Sequence, residues 1–213
     1  MSPVKRSQFF KAEILGQGES GVPIDNALQN LNGEIKRCHQ CRLAKTRLNV
    51  LCGEGNLRPE LMLIAQAPGE HEDREGRMFI GPSGKVLDEL LATVGIQRGE
   101  IYMTNLLKCM LPKNRKPKLD EISSCGRYLD REIVLISPKI LAPLGYYATR
   151  FILEKYGFQV PVRFEFRNLY GGVLKVDDKK IIPLQHPAAV LHNASIKETM
   201  LRNYHKMRAI FSS

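Results

Sequence analysis

Cys38 and Cys41 stand two residues apart in CHQC, and Cys109 and Cys125 follow as spaced single cysteines. Four thiolates can hold a zinc ion or a 4Fe–4S cluster. Zinc sites more often use two paired CxxC knuckles, so one pair plus two dispersed cysteines favours iron–sulfur. Four unrelated core thiols are the plain alternative. Cys38 and Cys109 each adjoin a basic residue, Arg37 and Lys108, of the sign that offsets thiolate charge. The fifth cysteine, Cys52, reads as an ordinary half-buried thiol.

A second group of residues is suited to reading a flat polar ligand. Asn105 offers one acceptor and two donors, enough for the edge of a pyrimidine ring. Phe79 can stack on such a ring or serve as core. His186, in PLQHPAAVLHN, is followed by Pro187 and a small-residue turn, and its imidazole can stabilise charge on a leaving group. Val190 and Leu191 at the tip of that turn are either core or a wedge for a base stack. The loop KCMLPKNRKPK, residues 108–118, carries five Lys or Arg in eleven residues. Lys113, Arg115, Lys116 and Lys118 on it are candidate phosphate contacts, as is Arg167 on a later loop ending in Gly171 and Gly172.

Regular elements have to bring these residues together. LMLIA at 61–65 is an apolar run without helical spacing, which suits a strand buried on both faces. Gln66, Ala67, Pro68 and Gly69 end it in a sharp turn, and a polar run leads to Phe79. Residues 83–94 then read as a helix, with Ser83 as N-cap and Val86, Leu87, Leu90, Leu91 and Val94 as the buried stripe. Strands are expected at 101–107 and 140–145, and helices at 24–47, 118–136, 146–156 and 195–211. Short apolar runs at 173–176 and 181–184 flank a turn that begins Asp177-Asp178, as in a hairpin. The alternation predicts an α/β fold with a parallel sheet covered on both faces, whose carboxyl edge forms the binding crevice.

The length of 213 residues suits a single domain, 24–213, preceded by an extension, 1–23, with Phe9 and Phe10 among basic residues. A formal charge of +10 suits a polyanion partner. No stretch is long and apolar enough to span a membrane, and the first residues lack a secretory pattern, so a cytoplasmic protein is expected. Five cysteines in that setting argue for metal or redox use over a disulfide framework.

Taken in order, these motifs resemble the family 4 uracil-DNA glycosylases, the iron–sulfur members of their superfamily. The likeness runs from about Ile35 to Ile210. It rests on the cysteine spacing, CGEGN at 52–56, APGEHEDREGRMFIGPSG at 67–84, TNLLKC at 104–109, the NRKP loop and HPAAVLHN at 186–193. The resemblance implies a three-layer α/β/α fold with a four-stranded parallel central sheet and a structural 4Fe–4S cluster on Cys38, Cys41, Cys109 and Cys125. It also implies a monomer that excises uracil from DNA without metal in the chemistry. Phe79 would stack on the flipped base, Asn105 would read its edge, and His186 would stabilise the departing anion. Gln66, Ala67 and Gly69 would shape the slot, Gly69 standing where another family places a thymine-excluding Tyr. Ala188 to Leu191 would follow the minor groove.

One departure bears on mechanism. The family's first motif usually reads GEAPG or GEGPG, whereas this chain reads AQAPG, with Gln66 in place of the Glu. A related family with GQDPY has Gln there but an Asp next, where this chain has Ala67. Neither usual carboxylate is present, and Glu70, Glu72 and Asp73 are the nearest substitutes. Two other classes therefore fit the same residues. One is a weakly catalytic sensor or glycosylase of other deaminated bases, such as hypoxanthine or xanthine. The other is a cysteine-metal DNA-binding module without a base pocket.

Overall fold

The computed structural model describes residues 23–211, so the expected extension, 1–23, lies outside the described residues except for Pro23. Helix α1 (Ile24–Lys36) buries Leu28, Leu31 and Ile35 and stops at Lys36, well before the expected end near Arg47. Beyond Ile35 the next positions of the stripe are occupied by Cys38 and His39, which supply no bulky apolar group to extend it. Cys38 and Cys41 thus lie in an irregular stretch past the helix, ahead of a single 3-10 turn, Arg42–Lys45.

The chain continues through β1 (Glu54–Gly55), β2 (Leu61–Ala65), α2 (Glu70–Glu75), α3 (Pro82–Thr93), β3 (Tyr102–Asn105), α4 (Leu119–Ile136), β4 (Ile140–Pro143) and α5 (Gly145–Lys155). It ends with β5 (Leu174–Val176), β6 (Lys179–Ile181), α6 (Ala188–His192) and α7 (Lys197–Phe211). The six strands lie in the order β1-β3-β2-β4-β6-β5. The central four, β3, β2, β4 and β6, are parallel, as expected. Two short antiparallel strands, β1 and β5, extend the sheet at its edges. A two-residue strand such as β1 has too little sequence to show a period. The β5–β6 hairpin lies where expected, with Asp177 in the left-handed region at φ 50°. Its second strand, however, ends at Ile181, and Ile182 to Leu184 continue as extended chain bonded to β4 and its end.

Side-chain alternation along β2 explains the three layers. Leu61, Leu63 and Ala65 face one core with α3 and α7, while Met62 and Ile64 face the other with α1, α4 and α5. A strand buried on both faces must be apolar throughout, and LMLIA is. Strand β2 is central: the chain crosses to β3 on one side, then returns past it to β4 on the other. That reversal opens a crevice at the carboxyl ends of β2, β3 and β4. Register puts Ala65 beside Asn105 and Ile64 beside Pro143, so these strands end at one level.

A candidate base-binding pocket beside a four-cysteine cavity

At this edge a pocket of about 450 Å³ is lined by Gln66, Ala67, Gly69, Phe79, Asn105, His186 and Leu191, among others. All six residues expected to read the base or drive the chemistry therefore share one cavity. Two corrections concern its rim. Helix α3 begins at Pro82 with Gly81 as N-cap, so Ser83 is not the cap but sits in the first turn, lining the pocket. Proline suits that first position because its fixed φ fits and its missing donor is not needed. The polar run after Gly69 is also not a plain loop: Glu70–Glu75 forms α2, with acidic residues on its first turn.

Phe79 is buried with φ at 51°, an unusual backbone for an aromatic residue. Neighbours hold it there. Arg98 donates to the carbonyls of Met78 and Phe79 at 3.2 and 2.6 Å, and pairs with Asp88 at 2.5 Å. A side chain at Gly84 would lie 1.8 Å from the Phe79 carbonyl oxygen, so the glycine permits the fold-back. The Phe79 ring then lies 6.2 Å from the His186 ring at 29°. Asn105 is buried, and its amide nitrogen donates to the thioether of Met78 at 3.1 Å. Sulfur is a weak acceptor, readily exchanged for a polar ligand edge.

Nδ1 of His186 accepts from the Ala188 amide at 3.2 Å, which assigns the proton of the neutral ring to Nε2. Burial lowers the His186 pKa to about 4, although the charge of Glu72 pulls it the other way. The ring is thus a neutral donor near pH 7.

The three substitute carboxylates separate cleanly. Asp73 is buried but accepts from the Leu48 and Asn49 amides, a structural role. Glu70 is exposed at the pocket mouth and pairs with Arg74 at 3.2 Å. Glu72 is buried, lines the pocket and accepts from the Gly81 amide at 2.8 Å. Its other oxygen lies 2.5 Å from where a Gly69 side chain would begin, so the carboxylate fills the space that the glycine leaves. Asn114, which sequence reading did not single out, also lines the pocket. It follows Lys113, and both have left-handed backbones, with φ near 53° and 54°. No residue-type signal marks that turn, although Asn tolerates it better than most.

Cys38, Cys41, Cys109 and Cys125 line one small cavity with Arg47, Lys108 and Tyr128. Arg47 donates to Cys109 Sγ at 3.3 Å and the Lys108 amide donates to Cys125 Sγ at 3.2 Å. One expected charge partner differs. At Cys109 the charge partner is Arg47 and not the adjoining Lys108, whose ammonium turns away to a buried carboxylate. Burial pushes the Cys125 thiol up to about 12 and raises that of Cys109. Among the described residues no three His, Cys, Asp or Glu side chains stand close enough to chelate one metal ion. A cube of four irons takes one thiolate at each iron, so its ligands surround a cavity instead of meeting at a point. The donor set fits that group. Cys52 lies apart and meets the Asn32 carbonyl at 3.8 Å.

The basic loop between Cys109 and Cys125 divides by role. Arg115 forms a two-pronged pair with Glu121 at 2.9 and 2.5 Å, so its guanidinium is committed to a buried carboxylate and not to a phosphate. Lys113, Lys116 and Lys118 are exposed. Arg167 is exposed on a 3-10 turn, Glu165–Leu169, and is not part of the pocket wall. On α6 the two apolar residues separate: Val190 packs against the core, while Leu191 is 51% exposed at the pocket rim. Any wedge is Leu191. Neutralising Lys113, Lys116 and Lys118 together is expected to flatten the slope of log K against log salt for undamaged DNA. At about 0.9 per contact, the change is roughly two to three units. An unchanged slope in a filter-binding titration would mean the loop does not meet phosphates.

Comparison with known proteins agrees with this geometry. The sequence model of the Uracil DNA glycosylase superfamily matches residues 52–208. The chain is similar to the Type-4 uracil-DNA glycosylase of Sulfurisphaera tokodaii, 37% identical over 188 residues, covering 87% of this chain and 85% of that one. The Type-4 uracil-DNA glycosylase of Saccharolobus solfataricus is 38% identical over 197 residues, covering 89% and 88%. That of Archaeoglobus fulgidus is 35% identical over 185 residues, covering 85% and 92%. Among the described residues no helix is long and apolar enough to cross a membrane.

Proposed function

This chain belongs to the type-4 uracil-DNA glycosylases of the uracil DNA glycosylase superfamily, and from that premise we propose how its residues divide the work. It is a DNA-repair glycosylase that excises uracil from DNA. The observation that carries the mechanism is the convergence of Asn105, Phe79, His186, Gln66 and Glu72 on one pocket. The target nucleotide leaves the stack with Leu191 at the vacated position, and exposed lysines of the 108–118 loop hold the phosphates. Uracil enters beside the Phe79 ring, and the Asn105 amide exchanges its thioether partner for the polar edge of the base. The glycosidic C–N bond then breaks, and its electron pair departs with the base. His186 Nε2–H donates to an oxygen of the uracil anion, while the Glu72 carboxylate offsets positive charge on the sugar. Water adds to the sugar carbon and gives its proton to a carboxylate or solvent. The neutral Gln66 and Asn114 amides can orient that water. A bulky group at position 5 of the base has no tyrosine to meet here; the Glu72 carboxylate occupies that region instead.

Gln66 alone favours a binding-only sensor, but Glu72 supplies the negative charge that such a sensor lacks. Release of uracil from a uracil-containing duplex in a single-turnover assay, leaving an alkali-labile abasic site, tests the enzyme reading. Tight binding without release would overturn it. We read the protein as a cytoplasmic monomer.

Cys38, Cys41, Cys109 and Cys125 would hold a 4Fe–4S cluster. When bound, the cluster supplies a structural cross-link between the end of α1, the 108–118 loop and α4, and no proton or electron to the excision. The two N–H···S bonds to Cys109 and Cys125 are of the kind that stabilise cluster sulfurs. Anaerobically purified protein is expected to be brown, with absorbance at about 400 nm from thiolate-held iron. Serine at any of the four positions should bleach it, whereas Cys52→Ser should not. A colourless protein carrying stoichiometric zinc would sink this assignment.

A further inference from the structure

Beneath the pocket floor lies a buried ion pair that none of these steps uses. Lys108 is 1% exposed and Glu132, on α4, is fully buried. An ammonium has three donors, and here each has a partner: Glu132 Oε2 at 2.5 Å, Thr104 Oγ1 at 2.7 Å and the main-chain carbonyl of Asn105 at 2.9 Å. Glu132 completes the arrangement by accepting from the Thr104 hydroxyl at 2.7 Å and the Gly53 amide at 3.2 Å. Removing two charges from water is costly, and apolar residues often stabilise a core as well. Stability alone therefore does not explain the pair.

Its position does. Asn105 is the last residue of β3, and the amides of Leu106 and Leu107 turn back to the carbonyls of Ala65 and Gln66. The Asn105 side chain has a soft sulfur partner at 3.1 Å, too weak to aim an amide. Its direction must come from the main chain, and Lys108 grips that main chain at the carbonyl. The backbone of Lys108 is itself fixed: its amide donates to Cys125 Sγ at 3.2 Å and its carbonyl accepts from Leu51 at 2.8 Å. One residue thus ties the pocket floor to the wall of the cysteine cavity.

We propose that Lys108, held by Glu132, is the positioning residue for base reading: its ammonium fixes the Asn105 main chain so that the amide faces the uracil edge. The proposal rests on Asn105 being the base reader. Lys108→Met alone leaves a buried carboxylate unpaired and is a poor test. Lys108→Met/Glu132→Gln removes both charges, while the glutamine amide still meets Thr104 and Gly53. The readout is affinity for a duplex with one 2′-fluoro-deoxyuridine, which resists cleavage, against the same duplex with deoxycytidine. The double variant is expected to lose about tenfold or more of that preference, the worth of one well-aimed hydrogen bond. Its melting temperature and salt slope should stay at wild-type values. A preference kept within about twofold would overturn the proposal. So would a double variant that no longer melts cooperatively, since the pair would then be a stability element. Wild-type protein that does not prefer uracil to cytosine would instead sink the reading of the pocket, before any variant is compared.

Discussion

His186→Ala is expected to lower single-turnover excision of uracil about a hundredfold or more, the usual cost of removing one group that stabilises developing charge. Affinity for uracil-containing DNA should change far less, because the contact strengthens only as the base leaves. The pH profile separates this role from a general acid. With its pKa lowered by burial to about 4, His186 is neutral across the working range and already carries its proton on Nε2. The wild-type rate should therefore show no break near pH 6.5, and a break only toward pH 4. The sign for stability follows from the same shift. A histidine held neutral in the fold contributes stability that is present above about pH 6.5, its unfolded value. That contribution is lost as pH falls toward about 4. A break near 6.5 that vanishes in His186→Ala would mean a protonated imidazole does the work, and full activity in the variant would remove His186 from the reaction.

Much of this architecture can be read from residues whose physics is local. LMLIA is apolar at every position because β2 is buried on both faces, and the stripe Val86, Leu87, Leu90, Leu91 repeats at the helical period because α3 covers one of them. The pocket residues Gln66, Asn105 and His186 are legible because each follows or ends a strand, where the fold places ligands. What stays hidden depends on long-range partners. Arg115 looks like a phosphate contact until Glu121 is seen to hold it. Val190 and Leu191 are chemically alike, and only packing decides which one is core. Glu70, Glu72 and Asp73 cannot be ranked by composition. The turn of α2 puts Asp73 under the Leu48 and Asn49 amides and Glu72 into the pocket. Arg98, which holds the strained backbone at Phe79, likewise carries no mark in the sequence.

Glu72→Gln should cost about a hundredfold in single-turnover excision, because it removes the negative charge beside a sugar that becomes cationic. The fold should survive it, since a glutamine oxygen can still accept from the Gly81 amide. Sequence alone points instead to Gln66 as the limiting position, with Gln66→Glu raising the rate. The position of Glu72 changes that expectation. Both side chains line one pocket, so a second carboxylate would repel the first and add little to the negative charge already there. In the wild-type background Gln66→Glu should therefore gain little. In the Glu72→Gln background it restores a single charge at the position usual for the family, and most of the lost rate should return. The two changes are thus strongly non-additive, as expected for groups sharing one role. Affinity for uracil-containing DNA should stay nearly constant across all four proteins, since the charge matters mainly in the transition state. Were Glu72→Gln to keep the wild-type rate, or the double variant to remain as slow as the single, a pocket carboxylate would not be needed, and the positive charge on the sugar would have to be met by the departing uracil itself and the DNA phosphates.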